Sequence, residues 1–230
     1  MAQARVAVFD AHFHVVDPRF PLVANQGYVP EPFTVDDYRT ATAGLGVVGG
    51  AVVSGSFQAF DQAYLLAALE RLGPGFVGVT QLPATVSDEQ VLALDAAGVR
   101  AVRFNLHRGG ELDVDLALRV HELAGWHAEV YASDLGAHEA RLRELPRLVV
   151  DHLGMSAEGL AAAVRLGAMI KATPRFDGDI RAVAPDKLLF GTDLPGTRAP
   201  RRFRPADLDL VARIAPQALA DNARALYRPA

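Results

Sequence analysis

The chain of 230 residues contains no cysteine. That excludes disulfides, thiolate metal sites and a cysteine nucleophile, and it fits a reducing compartment. No window approaches the ~18 continuous apolar residues of a membrane span. The first residues, Met1-Ala2-Gln3-Ala4-Arg5, carry no apolar leader core and are read as leading directly into a strand. The expectation is a cytoplasmic protein with no membrane partner. A formal net charge of −4 leaves no general basic field, so no nucleic-acid partner is expected and positive charge must act locally. No internal repeat, low-complexity tract or linker divides the sequence, and half of it is hydrophobic. One domain over residues 1–230 is therefore expected.

What is present is an alternation of two periodicities. Apolar β-type runs fall at 6–11, 47–53, 76–82, 99–104, 127–132, 147–151, 168–173 and 187–191. Helix-like stretches separate them at 35–44, 61–72, 87–97, 113–125, 134–144, 156–166, a short piece near 178–184, and 205–226, broken by Pro216. Ser87-Asp88-Glu89-Gln90 and Ser156-Ala157-Glu158 supply helix-start chemistry. Eight strands each followed by a helix predict a compact α/β fold, a closed parallel (β/α)8 TIM barrel, in preference to an open doubly wound sheet.

The first strand ends in His12-Phe13-His14. Residues i and i+2 of a strand face the same side, so the two imidazoles should project together from its C-terminal end. The other strand ends are also polar: Ser54-Gly55-Ser56, Arg103-Phe104-Asn105, Tyr131, Asp151-His152, Lys171 with Arg175 beyond, and Gly191-Thr192-Asp193. A barrel gathers these at one mouth, where such folds place their chemistry. Arg103, between Val102 and Phe104, should face the interior. Lys171 is either a metal-bridging or anion-binding lysine or a packed one. His107, His121, His127 and His138 are read as structural or surface residues, His127 lying at the far end from the mouth. Arg198, Arg201, Arg202 and Arg204 form a short cluster read as part of an acid-attracting rim.

The segments Asp10-Ala11-His12-Phe13-His14, Gly27-Tyr28-Val29-Pro30, Gly98 to Asn105, Val150-Asp151-His152-Leu153-Gly154 and Gly191-Thr192-Asp193-Leu194-Pro195 resemble the amidohydrolase superfamily. Asn222-Ala223-Arg224-Ala225-Leu226-Tyr227 looks like its terminal helix. The arginine motif narrows the resemblance to the lactonase branch that opens 2-pyrone-4,6-dicarboxylate and related rings. The resemblance implies a hydrolase of small carboxylated lactones, with Asp193 as base for the attacking water and His12, His14 and His152 around the carbonyl. It also implies that Tyr28, Ser56, Arg103 and Arg175, with Tyr131 as a weaker match, hold substrate carboxylates and ring oxygens. Two arginine forks suit a dicarboxylate.

A His-x-His pair with an aspartate on strand eight is also a ligand set for Zn2+ or a similar ion, in which case His12, His14, His152 and Asp193 would hold it. The superfamily's metal pattern wants a histidine from strand five, which here ends in Tyr131, and the lactonase branch implies chemistry without a required metal. Two further readings are a metal-dependent decarboxylase or other hydrolase of the superfamily, and an inactive small-acid binding protein. The chain departs from the lactonase pattern at Leu194-Pro195-Gly196, where Trp-Pro-His is usual. It is also short around strand seven, which predicts a thin outer ring there and, through exposed strand surface, a homodimer.

Overall fold

The structure, a computed structural model, describes residues 6–228. Eight parallel strands follow one another around a single sheet in sequence order. They are β1 Val8–Phe13, β2 Val47–Val53, β3 Phe76–Thr80, β4 Val99–Asn105, β5 His127–Tyr131, β6 Leu148–Val150, β7 Met169–Ala172 and β8 Leu188–Phe190. Between them and after them lie α1 Val35–Ala41, α2 Ala63–Leu72, α3 Asp88–Ala96, α4 Val114–Ala124, α5 Glu139–Leu142, α6 Ala157–Arg165, α7 Pro205–Ile214 and α8 Asp221–Tyr227. The expected barrel is the observed one. Ser87 and Ser156 do cap α3 and α6, accepting from the amides of Gln90 and Gly159. Among the described residues no helix is long and apolar enough to cross a membrane.

The strand alternation builds two cores. One face of each strand joins the helices in an outer core that holds Val102, Val130, Ile170 and Phe190. The other face fills the barrel's lower interior with Phe9, Ala11, Ala51, Val53, Val77, Val79, Ala101, Val149 and Leu189, closed by Ala220, Ala223 and Tyr227 at and within α8. The ring of Tyr227 stacks on Phe9 at 5.5 Å.

The seam between β1 and β8 is closed by a side chain. Asp10 accepts from the Thr192 amide at 2.8 Å and the Thr192 hydroxyl at 2.7 Å, and from the Tyr38 hydroxyl at 3.0 Å. Just above, the Asp193 amide donates to His12 O and the His14 amide to Leu194 O, both at 2.8 Å. Gly191 permits the approach, because a Cβ there would lie 2.8 Å from the His12 Cβ. Burial pushes the Asp10 carboxyl up to about 6 despite these hydrogen bonds.

Three expectations need correction. The first strand starts at Val8 rather than Val6 and runs to Phe13, while Met1 to Arg5 lie outside the described residues. The helix near 178–184 is a single tight turn, Ile180–Ala182, and the stretch 134–144 holds only four α-helical residues. Between β7 and β8 the chain is too short, and too broken by Pro174 and Pro185, to lay down a full crossover helix. The outer ring is thin as expected, yet the strands beneath it are covered. Ile170, Ala172, Leu188 and Phe190 are buried in the same core as Ile180, Val183, Val211 and Leu219. Among the described residues these four therefore expose no apolar strand surface there of the kind that would call for a partner subunit.

Candidate active site

A bulge in β1 sets the position of its histidines. Asp10 pairs with Gly50 and Phe13 with Val52, so β1 spends one extra residue there. That residue reverses the alternation: Phe9 and Ala11 face the lower interior, and after the bulge His12 and His14 face the mouth. His152 and Asp193 come from the turns after β6 and β8, at φ 55° and 52°. Left-handed backbone at such non-glycine residues is strained, and strain of this kind gathers at functional sites. The turn after β6 is held by a backbone crossing in which a Cβ on Gly159 would meet Gly154 O at 1.9 Å.

The polar strand ends converge. An open cavity of about 340 Å³ at the C-terminal mouth is lined by His14, Tyr28, Ser56, Arg103, Tyr131, His152 and Arg175, together with Phe57, Asn105, Arg108 and Arg198. Asp193 is fully buried behind the lining residue His14, its Oδ1 3.4 Å from His14 Nε2 and 3.6 Å from His12 Nε2. Its Oδ2 accepts from Arg175 Nε at 3.2 Å. Burial alone would raise the Asp193 carboxyl, but His152, Arg175, His14 and His12 override it and hold Asp193 below the ordinary carboxylate range. Burial pushes His12 down to about 4, only partly opposed by Asp151, and pushes His152 well below its usual value. The site thus presents a carboxylate beside the neutral imidazoles of His12 and His152.

Hydrogen bonding fixes one tautomer. His14 Nδ1 lies 2.7 Å from Val53 O, and a carbonyl only accepts, so Nδ1 carries the proton. In a neutral His14 the Nε2 lone pair then faces Asp193 Oδ1, and the two acceptors require something that donates or a cation between them. His12 Nδ1 sits between Asp151 Oδ1 at 3.3 Å and Lys171 Nζ at 3.4 Å. His152 Nδ1 meets the Thr173 hydroxyl at 2.7 Å.

Not every expected substrate residue is free to bind one. Arg103 faces the interior as predicted, but its Nε and one terminal nitrogen donate to Asp151 Oδ2 at 3.0 and 2.9 Å and the other donates to Ser54 O at 2.9 Å. Arg175 donates to Asp193, to Arg198 O at 3.2 Å and to Thr197 O. The Tyr131 ring is flanked by both guanidinium groups, at 5.4 and 5.8 Å, and its hydroxyl has no partner. Of the rim cluster only Arg198 lines the cavity; Arg201 is tied to Asp177 and Asp207, both at 2.8 Å.

Lys171 is fully buried and bonds Glu129 Oε2, with Asp151 Oδ1 at 3.5 Å. Sequence reasoning passed over Glu129 and Arg108 and read His107 as a structural or surface residue. The His107 ring lies 4.7 Å from that of Tyr131, and its Nδ1 is unpartnered. The signal for Glu129 was its place between His127 and Tyr131, where alternation turns it inward. Arg108 and His107 lie in a turn after β4, and nothing local marks them.

Six buried side-chain atoms lack a partner among the described residues: His12 Nε2, Asn105 Oδ1, His107 Nδ1, Tyr131 OH, Asp151 Oδ1 and Asp193 Oδ1. All belong to this one region. Nitrogen and oxygen atoms of His12, His14 and Asp193 fall within 4.8 Å of one another, as do those of His12, Asp151 and His152. The first set fits one divalent ion, since two of its atoms are unpartnered and His14 Nε2 offers a lone pair. The second set does not, because Lys171 and Arg103 already neutralise Asp151.

A family model described as amidohydrolase matches residues 9–228. A 4-sulfomuconolactone hydrolase of Rhizobium radiobacter is 26% identical over 95% of this chain and 89% of its own length. A 2-pyrone-4,6-dicarboxylate hydrolase of Comamonas testosteroni is 31% identical over 63% of this chain, which spans about half (51%) of that relative. Among solved structures, a provisionally named 2-pyrone-4,6-dicarboxylic acid hydrolase of Pseudomonas putida superposes with a TM-score of 0.78 at 25% identity, covering 97% of this chain and 98% of the other. A protein of Agrobacterium tumefaciens reaches 0.81 at 21% identity over 97% and 96% of the two chains, a likeness of fold.

Proposed function

The chain belongs to the amidohydrolase family, and on that premise we propose that it is a lactonase that opens a small lactone carrying acid groups, of the 2-pyrone-4,6-dicarboxylate or sulfomuconolactone kind. The observation that carries the reading is the ionised, buried Asp193 whose free Oδ1 faces His14 Nε2 beneath a cavity edged with arginine. Those two acceptors suit a water molecule that donates to both and turns a lone pair toward the ring carbonyl.

In the proposed reaction the water oxygen bonds to the lactone carbonyl carbon and its proton passes to Asp193. The negative charge gathers on the former carbonyl oxygen, which receives donors from His12 and His152. For His12 this requires the tautomer in which Lys171 donates to Nδ1 and Nε2 carries the proton. The ring C–O bond then breaks, and the departing oxygen takes the proton back from Asp193. From a pyrone the leaving group is an enolate, which makes the ester easy to cleave. Arg175 holds the Asp193 carboxylate in place throughout.

The reaction so written needs no metal. A second reading follows from the His14 tautomer: one divalent ion held by His12, His14 and Asp193 fits the same lone pairs and would supply a water of lowered pKa. Hydrolysis of 2-pyrone-4,6-dicarboxylate in 18O-labelled water by chelator-treated protein tests the proposal. One label in the new carboxylate supports acyl attack without metal. Activity that returns only with added Zn2+ supports the second reading, and no product in either state refutes the lactonase assignment for this ring.

A further inference from the structure

We propose that Lys171 is a positioning residue that divides the pair His12 and His14 into one hydrogen-bond donor and one acceptor, and so sets the site against a divalent cation. The inference rests on the lactonase reading only for the use made of the His12 proton. Lys171 stands on β7 with no exposed surface. Its ammonium donates to Glu129 Oε2, and the other oxygen of Glu129 accepts from Tyr227 OH at 2.6 Å and lies 3.1 Å from His127 Nε2. The Tyr227 ring, on α8, lies 5.9 Å from the ammonium. An apolar side chain would serve packing alone, as Leu189 does beside it on β8.

Of that network Lys171 is the member that hydrogen-bonds a histidine facing the mouth, Nζ meeting His12 Nδ1 at 3.4 Å. An ammonium has no lone pair, so Nδ1 accepts and the ring proton sits on Nε2. The competing arrangement, in which Nδ1 donates to Asp151 Oδ1, is not formed. That oxygen is 3.3 Å away, yet it has no hydrogen bond among the described residues.

His14 ends the other way, its Nδ1 proton on Val53 O and its Nε2 lone pair free. Both Nε2 atoms face Asp193 Oδ1, at 3.6 Å from His12 and 3.4 Å from His14. A histidine that ligates a metal turns its far N–H to a carboxylate, a carbonyl or a water, which leaves the near nitrogen bare. His14 has a carbonyl in that place, whereas His12 has an ammonium. A cation can take the lone pairs of His14 and Asp193, but His12 joins them only by giving up its Nε2 proton beside a buried positive charge. A motif spaced like a metal site is thereby left as a donor beside an acceptor. That pair suits neutral oxygens, one that accepts and one that donates.

The test reads the ring protons directly. Long-range 15N correlation spectra of the intact, chelator-treated protein, labelled at histidine, separate a protonated ring nitrogen from a bare one, and His12→Gln identifies the His12 signals. The wild type should carry the His12 proton on Nε2 and the His14 proton on Nδ1. Lys171→Met combined with Glu129→Gln removes one charge of each sign, so neither is left buried alone and the net charge is unchanged. In that double variant the His12 proton should move to Nδ1 and onto Asp151, with His14 as before. Calorimetry with Zn2+ should then show binding about tenfold or more tighter than in the wild type, the scale on which a partner behind a ligating histidine acts. A His12 proton on Nδ1 in the wild type, a ring pattern unchanged in the double variant, or equal Zn2+ affinity of the two proteins would overturn the proposal. The wild-type spectrum decides even where the double variant does not fold. None of these readouts uses a lactone. A wild type with the Nε2 proton in place that leaves the pyrone intact refutes the reaction and leaves this inference standing; one that opens the pyrone with His12 protonated at Nδ1 refutes this inference alone.

Discussion

Two polar regions share the barrel interior, and they treat their hydrogen-bonding groups differently. In the lower one, Glu129 accepts from Tyr227 OH at 2.6 Å, from His127 at 3.1 Å and from Lys171. Lys171 holds the Glu129 carboxyl down at about 2 although burial alone would raise it. Among the described residues no fully buried side-chain nitrogen or oxygen of Glu129, Lys171, His127 or Tyr227 is left without a partner. In the upper region, one layer nearer the mouth, six atoms are. Buried polar groups normally find partners, because leaving one unmade costs about 1 to 3 kcal/mol. A closed network is therefore read as fold, and a cluster of open valences as a place kept for something that arrives.

The contrast breaks if variants of the two regions behave alike. The largest effect should be Asp193→Asn, which removes the base and should lower kcat for lactone opening by about 10³-fold or more while the protein stays folded. Glu129→Gln should do the reverse. It leaves Lys171 buried with half a partner and should cost about 3 to 5 kcal/mol in urea unfolding, with activity per folded molecule reduced far less. If Glu129→Gln cost activity without stability, the lower network would be catalytic and the contrast would fail.

Acid sharpens the same comparison. His12, pushed down to about 4 from 6.5, binds its proton more readily in the unfolded chain, so it withdraws about 3 kcal/mol of stability as pH falls from 6.5 to 4. Asp10 at the seam works with the opposite sign. Raised to about 6 from 3.8, it binds its proton more readily in the folded chain and returns about 3 kcal/mol as pH falls through the same range. Asp10→Asn should therefore steepen the loss of stability between pH 6 and 4, measured by denaturant midpoints. A slope equal to wild type would remove Asp10 from this balance. The rate of ring opening should hold to lower pH than an ordinary carboxylate base would allow, because Asp193 is held ionised.

The smallest effect is the most diagnostic of the mouth. Tyr131→Phe deletes a hydroxyl with no partner, so stability should move by less than about 0.5 kcal/mol while kcat/KM falls about tenfold. A matched loss of stability would mean that the hydroxyl serves the fold.

Much of this was legible in the sequence, for physical reasons. Parallel strands buried on both faces read as apolar runs, so all eight are found, the first displaced by two residues from its expected place. A barrel sends every strand end to one mouth, so His12, His14, His152 and Asp193 could be grouped without contacts. What was hidden was pairing. Whether Arg103 and Arg175 meet substrate or Asp151 and Asp193 is settled across the barrel, at sequence separations of 48 and 18, and no local pattern records it. The bulge in β1 was hidden too, because a register shift belongs to two strands at once. The missing helix after β7 was misread from a few residues around Ile180, a stretch too short for its periodicity to mean anything.

The most direct test of the central claim follows the ultraviolet absorbance of 2-pyrone-4,6-dicarboxylate with chelator-treated wild type beside Asp193→Asn. The account predicts that the pyrone band decays with wild type and persists with Asp193→Asn. Equal decay with both proteins would contradict it, because the open valence at Asp193 would then have no part in the chemistry.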